Sequence, residues 1–100
     1  MNISFEAPYY NFIKCENIKS IEVYHKFLNW IQGEFDLYQI DDFEGLKVYY
    51  PNGCFTIKMI NKKSEVAYIE INVKNKSKKV GFKTYQKIES LFDHLVNTYR

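Results

Sequence analysis

Between residues 35 and 73 the chain alternates β-forming runs with turn signals, and this stretch limits the possible folds more than any other. Four runs read as strands: 35–40, 46–50, 54–60 and 66–73. Tyr50-Pro51-Asn52-Gly53 predicts a tight turn between the second and third, because proline presets φ and Asn-Gly tolerates positive φ. Asn61-Lys62-Lys63-Ser64-Glu65 reads as a hairpin loop. In the third run Phe55, Ile57 and Met59 share one face, and Thr56 and Lys58 the other. In the fourth, Ala67, Ile69, Ile71 and Val73 alternate with Tyr68, Glu70 and Asn72. One sheet face is thus apolar and the other mixed, the pattern of an antiparallel sheet covered by helices on one side.

Two segments carry helical spacing. Ile18, Ile21, Tyr24, Phe27, Leu28 and Ile31 recur at three- and four-residue steps, with Ser20 as N-cap and Gly33 as the stop. Tyr85, Ile88, Leu91, Phe92, Leu95, Val96 and Tyr99 form a second stripe, capped by Thr84, after a lysine-rich loop over 74–83. Ile3 and Phe5 alternate with Ser4 and Glu6 in a short edge strand that Pro8 limits. The expected fold is α+β: a two-layer sandwich, with an antiparallel sheet of four to five strands and two helices on one face, in a single domain over 1–100. An uncovered edge at residues 3–6 would offer strand pairing to a second chain.

Composition narrows the function classes. Nine Tyr and eight Phe among 100 residues supply the bulk a small core needs and exclude a disordered tail. No apolar run reaches the ~20 residues of a membrane span. The first residues lack a basic and an apolar signal region, so a cytoplasmic protein with no membrane contact is expected. Cys15 and Cys54 show no ligand spacing and no disulfide framework, and are expected to be buried or half-buried free thiols. Neither they nor His25 and His94 form a metal motif or a nucleophile pair, so no metal, cofactor or enzymatic activity is expected. The glycines are dispersed and make no phosphate loop.

Charge is divided unevenly. Residues 1–50 hold four Lys against eight acids, a net of −4; residues 51–100 hold nine Lys and one Arg against four acids, a net of +6. Asp41, Asp42 and Glu44 sit in an acidic block that reads as a solvated turn rather than an acid–base pair. Lys74, Lys76, Lys78, Lys79 and Lys83 form a basic block without an acid inside it.

The run Leu46-Lys47-Val48-Tyr49-Tyr50-Pro51-Asn52-Gly53-Cys54-Phe55-Thr56-Ile57-Lys58 resembles the C-terminal domain of the α-D-phosphohexomutases, the family of phosphoglucomutase and phosphomannomutase. Asn52-Gly53 takes the place of that family's Asp-Gly turn, and Lys58 falls at the offset of its strand-ending Arg. The flanking helices fit as well, so the resemblance extends over almost the whole chain and implies a TATA-binding-protein-like α+β fold. Met59-Ile60-Asn61-Lys62-Lys63-Ser64 stands where the family has its phosphate loop, leaving Lys58, Asn61 and Ser64 as the residues that would meet a phosphate. The other three mutase domains have no counterpart in these residues, so the resemblance implies phosphate or phosphosugar binding and no mutase activity.

Three binding functions follow as expectations. The first is a protein-interaction module, an inhibitor or regulator of a larger complex, with Tyr9, Tyr10, Phe12 and Ile13 as aromatic and apolar anchors and Asp41, Asp42 and Glu44 steering the encounter. A composition rich in Ile, Lys, Asn, Tyr and Phe fits the small accessory proteins of phage and mobile elements. The second is nucleic-acid binding, with Lys74, Lys76, Lys78 and Lys79 on phosphates and outer-face tyrosines on bases. It stands without the aromatic motif of RNA-recognition sheets and with one Arg, Arg100. The third is phosphate or phosphosugar binding by Lys58, Asn61, Lys62 and Lys63.

Overall fold

Strand alternation and a buried row of β-branched residues organise the molecule around its last strand. The computed structural model describes residues 1–35, 39–41, 45–63 and 66–99, with 39–41, 61–63 and 66 described through their strand pairing. The order is β1 (Asn2–Glu6), β2 (Tyr9–Ile18), α1 (Ile21–Glu34), β3 (Gln39–Asp41), β4 (Leu46–Tyr50), β5 (Gly53–Lys63), β6 (Val66–Asn75) and α2 (Lys78–Thr98). All six strands form one sheet in the order β1-β2-β6-β5-β4-β3, and every pairing is antiparallel. Both helices pack on the same face, so the expected α+β class and its two layers are what the chain adopts.

The inward face follows the predicted parity. Ala67, Ile69, Ile71 and Val73 of β6, Phe55 and Ile57 of β5, and Leu46 and Val48 of β4 are buried. Against them lie Val23, Tyr24, Phe27 and Ile31 of α1 and Tyr85, Ile88, Phe92 and Leu95 of α2. Phe27 meets Phe92 edge-on at 5.4 Å and joins the two helices; Phe35 meets Phe55 at 4.8 Å and closes the core below α1.

Three local expectations need correction. Tyr9, Tyr10, Phe12 and Ile13, expected as interaction anchors, belong to β2, which pairs with both β1 and β6. Ile18 belongs to that strand, and α1 begins after the Ser20 cap, whose hydroxyl oxygen accepts the Val23 N–H. Gly33 lies inside α1, and Phe35 is the C-terminal cap. The expected loop over 74–83 ends early. The buried Asn75 Oδ1 accepts the Ser77 N–H at 2.7 Å, and Ser77 Oγ accepts the Val80 N–H, so α2 starts at Lys78. Thr84 is already one turn inside, its hydroxyl donating to the Val80 carbonyl. Lysines in a first turn oppose the helix dipole, and for that reason the segment reads as loop.

Gly81 and Gly33 respond to a methyl in opposite ways. A Cβ on Gly81 would stand 2.7 Å from a Phe12 ring carbon, since α2 lies directly on β2 there. A Cβ on Gly33 would meet nothing within 4 Å. Gly81→Ala is therefore expected to destabilise by about 1–3 kcal/mol despite alanine's better helix propensity. Gly33→Ala is expected to stabilise by roughly 0.5–1 kcal/mol. Urea unfolding of both variants measures the two signs.

Candidate functional site: the open face of the sheet

With the helices on one face, no described element covers the other face of the sheet. Register places its side chains in rows across the strands. Tyr49, Cys54, Lys74, Asn11 and Ser4 occupy one row; Lys47, Thr56, Asn72, Ile13 and Asn2 the next; Lys58, Glu70 and Cys15 the third. Tyr68 and Asn17 pair beyond them. Lys47, Lys58 and Lys74 thus stand on three neighbouring strands, within roughly 15 Å at ordinary strand spacings.

Two depressions run together on this face, sharing Cys54 and Lys74. The larger, 470 Å³, is walled by Tyr9 and Tyr49 and carries Lys74 and Lys76. The smaller, 210 Å³, carries Lys47, Lys58 and Lys74 beside Thr56 and Asn72, with Glu70 as its carboxylate. The Lys76 ammonium lies 5.9 Å from the Tyr9 ring centre and that of Lys47 5.1 Å from Tyr49. Among the described residues, none of Lys47, Lys58, Lys74 and Lys76 forms an ion pair. These are cations available to an outside anion, beside aromatic rings with a face toward solvent.

The sequence-predicted residues are distributed over this frame as follows. Phe12 is fully buried against α2, so it is not an exposed anchor; it packs on Tyr85 and Phe82 instead. Tyr9 and Tyr10 are neighbours on one strand and point to opposite faces, Tyr9 into the open-face depression and Tyr10 onto Phe5 at the helix side. Ile13 is on the open face, so the four do not form one patch. Asp41 pairs in register with Lys47 through β3, while Asp42 and Glu44 lie outside the described residues. Lys74 and Lys76 belong to the open face; Lys78 and Lys79 are exposed in the first turn of α2. Lys58 is exposed on β5. Asn61, Lys62 and Lys63 belong to the strand rather than to a loop, and Asn61 takes the register position opposite Tyr68. Ser64 lies outside the described residues. Lys47, Tyr49 and Thr56 are site residues that sequence reasoning missed, although their outward parity on β4 and β5 was available in the alternation itself.

Cys15 is exposed on the open face rather than buried; Cys54 is half-buried, and both are free thiols. His25 and His94 are exposed on the helices, His94 against Trp30 at 5.5 Å. Among the described residues no group of three His, Cys, Asp or Glu is placed to hold a metal ion. No described helix is long and apolar enough to cross a membrane. No protein-family model matches the chain, and no curated protein matches it in sequence.

Among the described residues, the one strongly perturbed cation is inward. Lys14 of β2 reaches Glu16 at 2.7 Å and Glu89 of α2 at 2.8 Å. The hydrogen bonds its ammonium donates to Glu16 and then to Glu89 hold it well above the ordinary lysine range. Because its folded-state pKa is raised, the stabilisation is fully present below the ordinary value of 10.5 and is lost only as pH climbs through the raised one. Burial likewise pushes the phenols of Tyr24, Tyr50 and Tyr85 up. Lys14→Met would leave two largely buried carboxylates side by side. With the lysine itself about one-third exposed, a loss of about 1–3 kcal/mol is expected, below that of a fully buried pair. Urea unfolding at pH 7 checks it.

Proposed function

We propose that this chain is a non-catalytic binding module whose open sheet face takes up single-stranded nucleic acid. One observation carries the reading: Lys47, Lys58, Lys74 and Lys76 converge, free of ion pairs among the described residues, on a face that Tyr9 and Tyr49 wall and no helix covers. Lysine ammoniums neutralise backbone phosphates and release their counterions, without reading sequence. Exposed tyrosine rings stack on bases that a single strand leaves unpaired. Glu70 and Glu6 at this face, and Asp41 at the register position opposite Lys47, weaken the field. A face with lysines and one arginine in the whole chain suits loose, sequence-tolerant contact rather than bidentate reading of base edges.

The smaller depression supports a second reading, in line with the phosphohexomutase resemblance. Three ammoniums with the Thr56 hydroxyl and the Asn72 amide form a cradle of the size and donor set of one phosphate group. In that reading Lys58 meets the phosphate of a sugar phosphate.

Fluorescence anisotropy of a labelled single-stranded oligonucleotide across a salt series tests the first reading. The expected log–log slope is about −0.7 per phosphate neutralised, so roughly −2 to −3 for this face. Lys58→Gln with Lys74→Gln should flatten that slope by roughly 1 to 1.5. Tyr49→Ala should weaken binding by about 1–3 kcal/mol if its ring stacks on a base. No anisotropy change at low salt would refute nucleic-acid binding. A rise in melting temperature with millimolar sugar phosphate, abolished by Lys58→Gln, would favour the phosphosugar reading in its place.

A further inference from the structure

We infer that two copies of this chain associate through β1, edge to edge and antiparallel, in a symmetric pair centred on Ser4. β1 is a five-residue edge strand, paired on one side to β2 and, among the described residues, without a strand on the other. Edge strands are ordinarily protected by shortness, lysines, proline or an inward charge. The opposite edge is protected by shortness, since β3 has three residues. β1 has no Lys and no Pro within it, and its one charge, Glu6, sits at its end.

The side chains of β1 make it complementary to itself. Antiparallel pairing about Ser4 sets Ile3 opposite Phe5 of the second copy and Phe5 opposite its Ile3. Both are large, apolar and exposed, at 47% and 57%, on the side of the sheet where the helices lie but do not reach. Phe82 of α2, 38% exposed, extends the same surface, its ring 6.1 Å from that of Phe12, the register partner of Ile3. Together Ile3, Phe5 and Phe82 leave roughly 300 Å² of apolar surface in one place, the scale at which an exposed patch marks an interaction site. On the other side of the sheet the same register sets Asn2 opposite Glu6 of the second copy, an amide donor facing a carboxylate with no like charges opposed. A heterologous strand would have to supply this alternation; a second copy already has it.

The pair would bury on the order of 1,000 Å² in total, the lower end of specific interfaces, so the association is reversible. It continues the sheet across both copies and leaves each open face uncovered. It does not depend on what that face binds.

Sedimentation equilibrium over a concentration series should show a reversible monomer–dimer mixture. Phe5→Lys places a charge in the apolar half of the seam and should shift the protein to monomer with its far-UV circular dichroism melt retained. Register is tested by cross-linking in a Cys15→Ser, Cys54→Ser background. Ser4→Cys should link two chains on mild oxidation, because the two positions face each other, whereas Asn2→Cys should not. A monomer at every concentration overturns the inference. So does a dimer that persists in Phe5→Lys, or one in which Asn2→Cys links as readily as Ser4→Cys. Should Phe5→Lys fail to fold, the cross-linking contrast decides alone.

Discussion

The structure depends on the alternation of β6. Ala67, Ile69, Ile71 and Val73 are all fully buried, and they face both helices while β2 and β5 pair on either side. A strand with a period of two cannot slip by one residue without exchanging its faces. Such a slip here would drive Tyr68, Glu70, Asn72 and Lys74 under the helices and expose the four apolar residues. The same constraint keeps Lys58 of β5 and Lys47 of β4 outward. The composition of the open face is therefore set by what the core excludes.

How much of this could be read beforehand differs from element to element. β4, β5, β6 and the inward stripes of both helices follow from local periodicity, because each buries an apolar row against the other layer. β2 does not, and Lys14 and Glu16 explain why. They occupy inward positions that the alternation rule reserves for apolar side chains; Lys14 bridges Glu16 and Glu89, the latter 75 residues beyond it. A partner so distant leaves no trace in a local pattern. The start of α2 was obscured in a similar way. Its first turn carries Lys78 and Lys79, the wrong sign for the helix dipole, and the cap depends on Asn75, whose burial is a tertiary fact.

The candidate site was legible by residue type and illegible by grouping. Lys58, Lys74 and Lys76 were identifiable as candidate phosphate-binding cations, yet sequence proximity joined Lys74 to Lys78 and Lys79, whereas register joins it to Lys47 and Lys58 across two strands. The expected anchors Tyr9, Tyr10, Phe12 and Ile13 are divided for the complementary reason. Adjacent positions in a strand point apart, so Tyr9 and Ile13 lie on the open face and Tyr10 and Phe12 on the helix side. Side chains that act together on a sheet come from neighbouring strands, and that adjacency is a product of the fold.

The irregularity in β5 has one more consequence. Met59 pairs with Ile69 and Asn61 with Tyr68, so Ile60 is an extra residue between two rungs and stands exposed. Losing that isoleucine would turn the ladder regular and leave every other partnership of the strand intact. A deletion anywhere else between Gly53 and Met59 would turn part of the strand inside out. The chain thus has one position in β5 where its length can drift over evolutionary time while the barrier between oily interior and charged exterior stays closed.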